Sequence, residues 1–166
     1  MKAQAGFTLV ELMIVVTIAV IFMAIAAMIF THWNDKHTVE AYTKEIHSIL
    51  LKARNDAANT NTQQLVTLAA NQLQVTQDDD SDGAVDAGEP TTTNPFPRFA
   101  IKFTVSPIVF NRRGITSNIQ TITIPVWSVA DPTGYSLNAS PGVDCIVVAQ
   151  TRINMGLMTG GVCAQQ

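Results

Sequence analysis

Twelve consecutive residues, 78–89, have the types and spacing of a loop that binds a cation. They read Asp-Asp-Asp-Ser-Asp-Gly-Ala-Val-Asp-Ala-Gly-Glu and match in full the pattern D-x-[DN]-x-[DN]-G-x5-E of calcium-binding EF-hand loops. A calcium ion takes about six to eight oxygen ligands. The loop would supply them from Asp78, Asp80, Asp82, the Ala84 carbonyl, Asp86 and Glu89. Calcium is therefore a candidate ligand, and no cofactor is required.

The residues that flank this acidic loop favour a second interpretation. A strand-like segment, Leu73–Thr76, precedes the loop and Pro90 follows it, whereas an EF-hand loop joins two helices. The loop holds six of the 13 acidic residues, so the rest of the chain has seven acidic residues against ten Lys and Arg. The alternative is a solvated acidic turn that binds no metal, and the sequence leaves both interpretations open.

Side chains that could carry out catalysis are few and scattered. His32, His37 and His47 all fall in one predicted helix, without the i,i+4 spacing of a shared metal site, and none lies near a nucleophile motif. The sequence also has no glycine-rich phosphate-binding loop. We therefore predict that the protein is not an enzyme.

The start of the chain contains a long apolar run. Between residues 7 and 30 the only polar side chains are Thr8, Glu11 and Thr17. As a helix this run is ~36 Å long, which is enough to cross a hydrocarbon core of ~30 Å. A cleavable secretory signal is the alternative, but the run is too long for one and contains a carboxylate. We therefore predict one membrane-spanning helix over residues 7–30.

The residues at the head of this run, Gly6-Phe7-Thr8-Leu9-Val10-Glu11-Leu12, resemble the processing site of type IV prepilins and type II secretion pseudopilins. In that family a prepilin peptidase cuts after the glycine and methylates the new N-terminus. The resemblance implies a leader peptide over residues 1–6, cleavage after Gly6, and Phe7 as the methylated terminus. Many members have a helix-kinking proline at the position of Met28, so the helix of this chain is free to run straight there.

The resemblance also implies a role for Glu11 in filament assembly. After cleavage, Phe7 would carry an ammonium group four residues before the Glu11 carboxylate. When helices pack side by side in a filament, Glu11 of one subunit can neutralise the terminus of its neighbour. Loss of one partner from a buried ion pair costs about 3–5 kcal/mol, so this contact would set the register between subunits. The alternative is a Glu11 side chain that extends to the membrane interface without a partner.

The helix is predicted to continue to about residue 58. Apolar residues recur there at spacings of three and four, which is typical of one amphipathic face. They are Val39, Tyr42, Ile46, Ile49, Ala53 and Ala57.

The remainder of the chain is rich in short β-prone segments separated by turn residues. These segments cover residues 64–69, 72–76, 99–105, 119–126, 145–149 and 151–155, and Pro90–Pro97 is predicted to be a loop. The predicted fold class is therefore α+β. A long N-terminal helix, transmembrane over 7–30 and amphipathic over 31–60, packs on an antiparallel β-sheet head that covers 61–166.

Parts of the head resemble a subset of the same family, the GspH/FimT-type minor pilins and pseudopilins. They are Phe110-Asn111-Arg112-Arg113-Gly114, Asp86-Ala87-Gly88-Glu89-Pro90 and the segment from Cys145 to Cys163. The resemblance implies a structural subunit of a type IV pilus or a type II secretion pseudopilus, and a minor subunit rather than a major pilin. A major pilin remains an alternative.

The same resemblance implies the partners and the location of the chain. Its partners would be other pilin or pseudopilin subunits, the prepilin peptidase and the inner membrane. Before assembly the chain would cross the inner membrane once, with its head in the periplasm. After assembly it would be part of a periplasmic pseudopilus or of a pilus on the cell surface.

The two cysteines of the chain, Cys145 and Cys163, both lie in the predicted head. A bridge across their separation is worth about 3 kcal/mol in the chain-entropy model, and it would hold a glycine-containing tail that is otherwise prone to fray. The alternative is two free thiols, which an oxidising periplasm disfavours. We therefore expect a Cys145–Cys163 disulfide.

The arginines of the head suggest DNA as a further partner. Some FimT-type minor pilins bind DNA through a Gly-Arg-x-Arg element near the C-terminus, but the segment around Arg152 lacks the glycine and the second arginine. The adjacent pair Arg112-Arg113 has no interleaved aromatic residues that could stack on bases. DNA contact through Arg112, Arg113 and Arg152 is therefore a hypothesis, and solvated surface arginines are the favoured alternative.

Overall fold

The structure, a computed structural model, describes residues 8–69, 71–97, 101–103, 106–117, 119–124 and 141–165. Helix α1 spans Leu9–Thr60. The strands within these ranges are β1 (Gln63–Ala69), β2 (Gln72–Asp78), β3 (Thr91–Pro95), β4 (Lys102–Phe103), β5 (Ile108–Phe110), β6 (Gln120–Thr123), β7 (Cys145–Val148), β8 (Ile153–Thr159) and β9 (Val162–Gln165).

Local sequence explains both ends of helix α1. Thr8 is the N-cap, and its Oγ1 accepts a hydrogen bond of 3.2 Å from the backbone N–H of Glu11, an otherwise unpaired donor of the first turn. At the other end Asn61 adopts the left-handed conformation with φ 56°, which asparagine tolerates better than most residues. The 52 residues between these caps make a helix of ~78 Å, and its C-terminal end lies two residues beyond the predicted one.

The described residues of the head form two antiparallel sheets, so the predicted α+β class is confirmed. One sheet has the strand order β3-β2-β1-β5 and the other has the order β4-β6-β7-β8-β9. The prediction that Pro90–Pro97 is a loop was wrong, because Thr91–Pro95 pairs with β2 as an edge strand. Strands β5 and β9 were not predicted either, and they pair with β1 and β8.

The C-terminal part of helix α1, residues 39–60, packs against both sheets and is called the docked segment. Its buried stripe differs from the predicted one. Leu50 is fully buried where the prediction had Ile49, and Thr43 is buried where it had Tyr42. Ile49 and Tyr42 are half-buried at the margin of the core, because the sheets cover the face centred on Ile46 and Leu50. The full stripe is Val39, Thr43, Ile46, Leu50, Ala53 and Ala57.

Polar contacts hold the docked segment to strand β8 and to the segments that flank β7. Four helix side chains, spaced by three, four and seven residues, bond to the backbone of residues 142–153. Glu40, Thr43, His47 and Arg54 contact Gly142 N, Val143 O, Ile153 O and Thr151 O at 2.7, 3.4, 3.0 and 2.6 Å, respectively. These bonds satisfy backbone groups that would otherwise need water, and they fix the helix along its axis as well as across it.

The first part of helix α1, residues 9–38, is called the projecting segment. None of its described side chains is buried, and the large apolar side chains of residues 9–25 range from 48% exposed at Ile18 to 77% exposed at Leu9. The sequence predicts a membrane crossing over residues 7–30. In the part of the chain that the structure describes, no helix is both long enough and apolar enough for one.

The predicted disulfide between Cys145 and Cys163 is present, with the two Cα atoms 6.0 Å apart. It joins β7 to β9, which are not neighbours, because β8 lies between them. Gly156 of β8 pairs with Cys145, and a Cβ atom at this position would lie 2.9 Å from Cys163 Sγ. The bridge therefore crosses over a strand, and a glycine provides the space for it.

Candidate functional site

The acidic loop, residues 78–89, begins at the last residue of β2 and leads to β3. In its first turn, Ser81 at φ 64° and Gly83 at φ 83° adopt positive φ angles and reverse the chain direction. As a result, carboxylate oxygens of Asp78, Asp80 and Asp82 lie within 4.8 Å of one another. Half of the predicted calcium ligands therefore converge.

Asp78 organises this turn from inside. Its side chain is fully buried, and its Oδ1 accepts a hydrogen bond from Ser81 N. Its Oδ2 accepts hydrogen bonds of 2.9 Å from both Gly83 N and Gln63 Nε2. Because Gln63 opens β1, the buried carboxylate ties the loop to the first residue of the sheet.

Asp80 and Asp82 are exposed and each caps one amide of the loop. Asp80 Oδ1 accepts from Asp82 N at 3.1 Å, and Asp82 Oδ1 accepts from Ala84 N at 2.7 Å. The hydrogen bond from Asp82 N by itself lowers the pKa of Asp80. Desolvation and the neighbouring Asp78 and Asp82 outweigh this bond, so that the pKa of Asp80 is raised. The three carboxylates therefore repel one another, which a bound cation would relieve.

Glu89 is held differently from the three converging aspartates. Its Oε1 accepts from Asp79 N at 3.2 Å, and its Oε2 accepts from Asp86 N at 2.9 Å. Among the described residues, the group that could share one ion consists of Asp78, Asp80 and Asp82, without Asp86 and Glu89. The carboxylate of Glu89 closes the loop by bonding to its backbone.

A second turn, residues 111–114, carries the adjacent arginines and follows β5. Asn111 Oδ1 accepts hydrogen bonds from Arg113 N at 2.9 Å and from Ile115 N at 3.1 Å. Gly114 has φ 67° and packs directly on the helix, since a Cβ atom there would lie 2.8 Å from Arg54 O. This basic turn is therefore held internally by Asn111 and externally by the docked segment.

The acidic loop and the basic turn meet. Arg112 Nη2 donates a hydrogen bond of 3.0 Å to Ser81 Oγ. Between the two turns lies an open cavity of about 330 Å³, lined by Gln63, Ser81, Asn111, Arg112 and Arg113. Residues that the sequence presents as two separate candidates thus form one surface.

Arg152 lies close to this surface in the turn between β7 and β8, where its carbonyl accepts from Ala149 N at 2.8 Å. Arg54, which the sequence did not single out, connects the basic turn to the turn between β7 and β8. Its guanidinium donates to Thr151 O, and its carbonyl oxygen packs against Gly114. Arg54 directly follows the buried Ala53 and is half-buried itself. A charged residue next to the predicted apolar stripe is the signal that could have identified it. The basic turn and the turn between β7 and β8 both lie near the C-terminal end of α1. Arg54, which contacts both, is ~40 Å from residue 25 along the helix axis.

The predicted processing site lies at the opposite end of the chain. Gly6 and Phe7 fall outside the described residues. Glu11 is an exposed residue in the first turn of α1, within the apolar part of the projecting segment. The carboxylate favours that position because the N-terminal end of a helix carries partial positive charge.

Comparison with known proteins gives matches over both parts of the chain. A prokaryotic N-terminal methylation motif matches residues 1–27. The crystal structure of the type IV minor pilin FimU of Pseudomonas aeruginosa aligns at 14% identity and a TM-score of 0.49, covering 82% of this chain and 97% of that one. No curated protein sequence matches.

The family of type II transport protein GspH matches residues 43–142. This match covers more than half of the chain and includes residues 43–60 of the docked segment, the acidic loop and the basic turn. Proteins of this pilin-like family are structural subunits rather than enzymes. The chain therefore belongs to the GspH family of type IV pilin-like proteins.

Proposed function

We propose that the chain is a minor subunit of a type IV pilus or of a type II secretion pseudopilus, assembled through its N-terminal helix. The projecting segment carries this proposal. Its exposed apolar residues lie on every side of the helix, and the consecutive residues 12–16 are between 52% and 61% exposed. A helix that is apolar all round is stable only when it is covered. Helices of neighbouring subunits, or lipid before assembly, would supply the cover that the head does not.

Assembly in this proposal uses the ion pair between the Glu11 carboxylate and the ammonium of Phe7 in the next subunit. Substitution of Glu11 by Gln keeps the shape and removes the charge, so we expect it to abolish incorporation into filaments. Glu45→Gln is the matched control, because Glu45 is an exposed glutamate on the docked segment of the same helix. Filament yield in sheared fractions measures the effect, and normal filaments from the Glu11→Gln chain would refute the pairing.

Processing of the precursor is the step to measure first. We propose that a prepilin peptidase removes residues 1–6 from a precursor anchored in the inner membrane and methylates Phe7. Intact mass and N-terminal sequencing of the protein from cell membranes would then show a chain that begins at methylated Phe7. An intact N-terminus, or a cut near Ala26, would contradict the proposed class.

Calcium binding at the acidic loop is a second proposal, supported by the three carboxylates of Asp78, Asp80 and Asp82 that converge within 4.8 Å. A cation there would be held by these three aspartates and would neutralise their repulsion. We expect calcium chloride at millimolar concentration to raise the Tm of the chain. Asp80→Asn should remove that increase while raising the metal-free Tm, since it removes one of the repelling charges.

The control for the calcium experiment is Asp79→Asn. Asp79 lies in the same loop and is exposed, but its carboxylate bonds to Gln77 Nε2 and does not belong to the converging group. The calcium-dependent increase should persist in this variant. An unchanged Tm of the native chain, or an equal response in both variants, would argue against a site at Asp80.

DNA capture by the head is the less favoured function. Arg112, Arg113 and Arg152 lie at one end of the head, which supports contact with a phosphate backbone. The acidic loop with its six carboxylates adjoins the same surface, and it would repel a polyanion. A gel-shift experiment with duplex DNA at low salt, repeated with Arg112→Ala/Arg113→Ala, tests this function, and we expect no arginine-dependent shift.

A further inference from the structure

We propose that the cavity between the acidic loop and the basic turn is a binding site for one carboxylate group, presented by a side chain or a C-terminus of a partner protein. The proposal concerns the head alone and does not depend on filament assembly. The cavity lies at the end of α1 remote from the projecting segment, so that a subunit can bind a partner there while its helix is packed among other helices.

The hydrogen-bonding capacity that remains in the cavity is almost entirely that of donors. Asn111 Oδ1 is used by two backbone N–H groups, which leaves its amide hydrogens for a ligand. Ser81 Oγ accepts from Arg112, so its hydroxyl hydrogen can donate elsewhere. Gln63 Nε2 is used by Asp78, so the acceptors that remain are the Gln63 carbonyl oxygen and one lone pair of Ser81 Oγ. A lining of this kind suits an oxyanion, which only accepts hydrogen bonds.

The two guanidinium groups differ in how they are held. Arg112 is fixed by its hydrogen bond to Ser81 at 3.0 Å. Arg113 donates from its side chain to no residue in the part of the chain that the structure describes, although it lines the same cavity. Its backbone is fixed nonetheless, because Asn111 Oδ1 accepts from its N–H. One preorganised and one available guanidinium can together bind a carboxylate through parallel hydrogen bonds, at low ordering cost for the backbone.

The neighbouring acidic loop limits the charge of the ligand. Six carboxylates lie within residues 78–89, and oxygens of Asp78, Asp80 and Asp82 converge within 4.8 Å, which places a negative potential beside the cavity. A ligand with a single negative charge gains from the two arginines and is repelled least by the loop. A phosphate group with close to two charges, or a nucleic acid with many, is repelled more strongly. The volume of about 330 Å³ admits a carboxylate together with the residue that carries it.

The test is a titration of the full chain in zwitterionic detergent micelles, followed by NMR of the arginine side-chain Nε–H signals. The probe is the peptide acetyl-Ala-Gly-Ala with a free C-terminal carboxylate, and the matched control is the same peptide with an amidated C-terminus. We expect saturable shifts of the Arg112 and Arg113 signals with the free acid and none with the amide. Arg113→Gln should weaken binding by about tenfold, the value of one charged hydrogen bond.

Arg152→Gln is the control variant, because Arg152 is exposed on a neighbouring turn and does not line the cavity. It should leave the titration unchanged. Both arginines are exposed, so neither substitution removes a buried contact. An equal response to the acid and the amide, or to both variants, would overturn the proposal. Tighter binding of inorganic phosphate or of a duplex oligonucleotide than of the peptide would also overturn it.

Discussion

The two segments of helix α1 have the same backbone geometry and opposite surroundings. In the docked segment, residues such as Leu50 are fully buried, and polar side chains bond to the backbone of residues 142–153. In the projecting segment, Ile14 is 55% exposed, and the other apolar side chains of residues 9–25 are similarly uncovered. The difference lies in what covers each segment. The head of the same chain covers the docked segment, whereas in the proposed function the projecting segment is covered by other molecules.

This comparison separates folding from assembly within one element. A change in the docked segment acts on the free energy of unfolding of a single chain, because its contacts are intramolecular. In the proposed function, a change in the projecting segment leaves that free energy almost untouched and acts on association. The helix would then be one continuous element with a folding segment and an assembly segment.

The largest expected effect comes from shortening one apolar side chain in each segment. Leu50→Ala leaves a cavity in the core, so we expect it to lower the free energy of unfolding by about 2–5 kcal/mol. Ile14→Ala should change it by less than about 0.5 kcal/mol and reduce filament yield instead. Chemical denaturation of the full chain in detergent, alongside a filament assay, measures both. If both substitutions lowered the free energy of unfolding equally, the two segments would not differ in their contribution to folding.

The disulfide extends the comparison to the sheet that covers the docked segment. Replacing Cys145 and Cys163 by Ser should cost about 3 kcal/mol, since the unfolded chain regains the entropy of the closed loop. Hydrogen exchange should rise in β9 and remain unchanged in residues 9–25. A reducing agent should reproduce the loss in the native chain and have no effect on the double variant. Faster exchange in the projecting segment would show that the two segments are coupled.

A smaller effect is expected at the contact between the basic turn and the helix. Gly114→Ala places a residue with a side chain in the left-handed region, at a cost of about 1–2 kcal/mol, and brings its Cβ against Arg54 O. Gly160→Ala is the matched control, with φ 59° and no atom near the added Cβ. Thermal unfolding measures both losses of stability. The amount by which the loss at Gly114 exceeds the loss at Gly160 is the contribution of the packing of the basic turn on the helix. Equal losses would mean that the turn does not depend on the helix.

The smallest effect concerns Asp144, which lies beside the residues that bond to Glu40 and Thr43. Burial raises the pKa of this carboxyl, and the hydrogen bond of 2.7 Å from Met158 N offsets only part of that effect. Because the folded state binds the proton more tightly than the unfolded state, stability falls as the pH rises from 3.8 through the folded pKa. Asp144→Asn keeps the acceptor oxygen and removes the charge.

We therefore expect a higher Tm for the Asp144→Asn chain than for the native chain at neutral pH. The difference should shrink as the pH is lowered and disappear well below 3.8, where the native carboxyl is protonated in both the folded and the unfolded state. Thermal unfolding over a pH series measures this. A difference that stays constant with pH would place the effect in packing rather than in charge.

The sequence predicts the helix, the class of the head and the disulfide, because each depends on a strong local or compositional signal. Strand β3 lacks such a signal. Its residues Thr-Thr-Thr-Asn-Pro have no apolar alternation, and they form a strand because β2 offers a partner at the sheet edge. Strand β5 is three residues long, and its pairing with β1 is long-range. Pairings of this kind are set by the tertiary fold.

The candidate sites show the same division between local and long-range signals. The spacing of Asp78, Asp80 and Asp82 predicts their convergence, since the local turn over residues 78–83 determines it. The position of Glu89 does not follow from the pattern, because its carboxylate bonds to backbone amides that only the folded loop presents. The contact of Arg112 with Ser81 joins residues 31 positions apart, and no local pattern could predict it.

The row of bonds between the docked segment and residues 142–153 determines how the chain would respond to mechanical load. A pull on the projecting segment, directed along the axis of α1, acts parallel to the interface between helix and sheets. The contacts of Glu40, Thr43, His47 and Arg54 are then strained together in shear, and they are not peeled apart one after another. The same set of weak bonds resists much more force in that direction than across it.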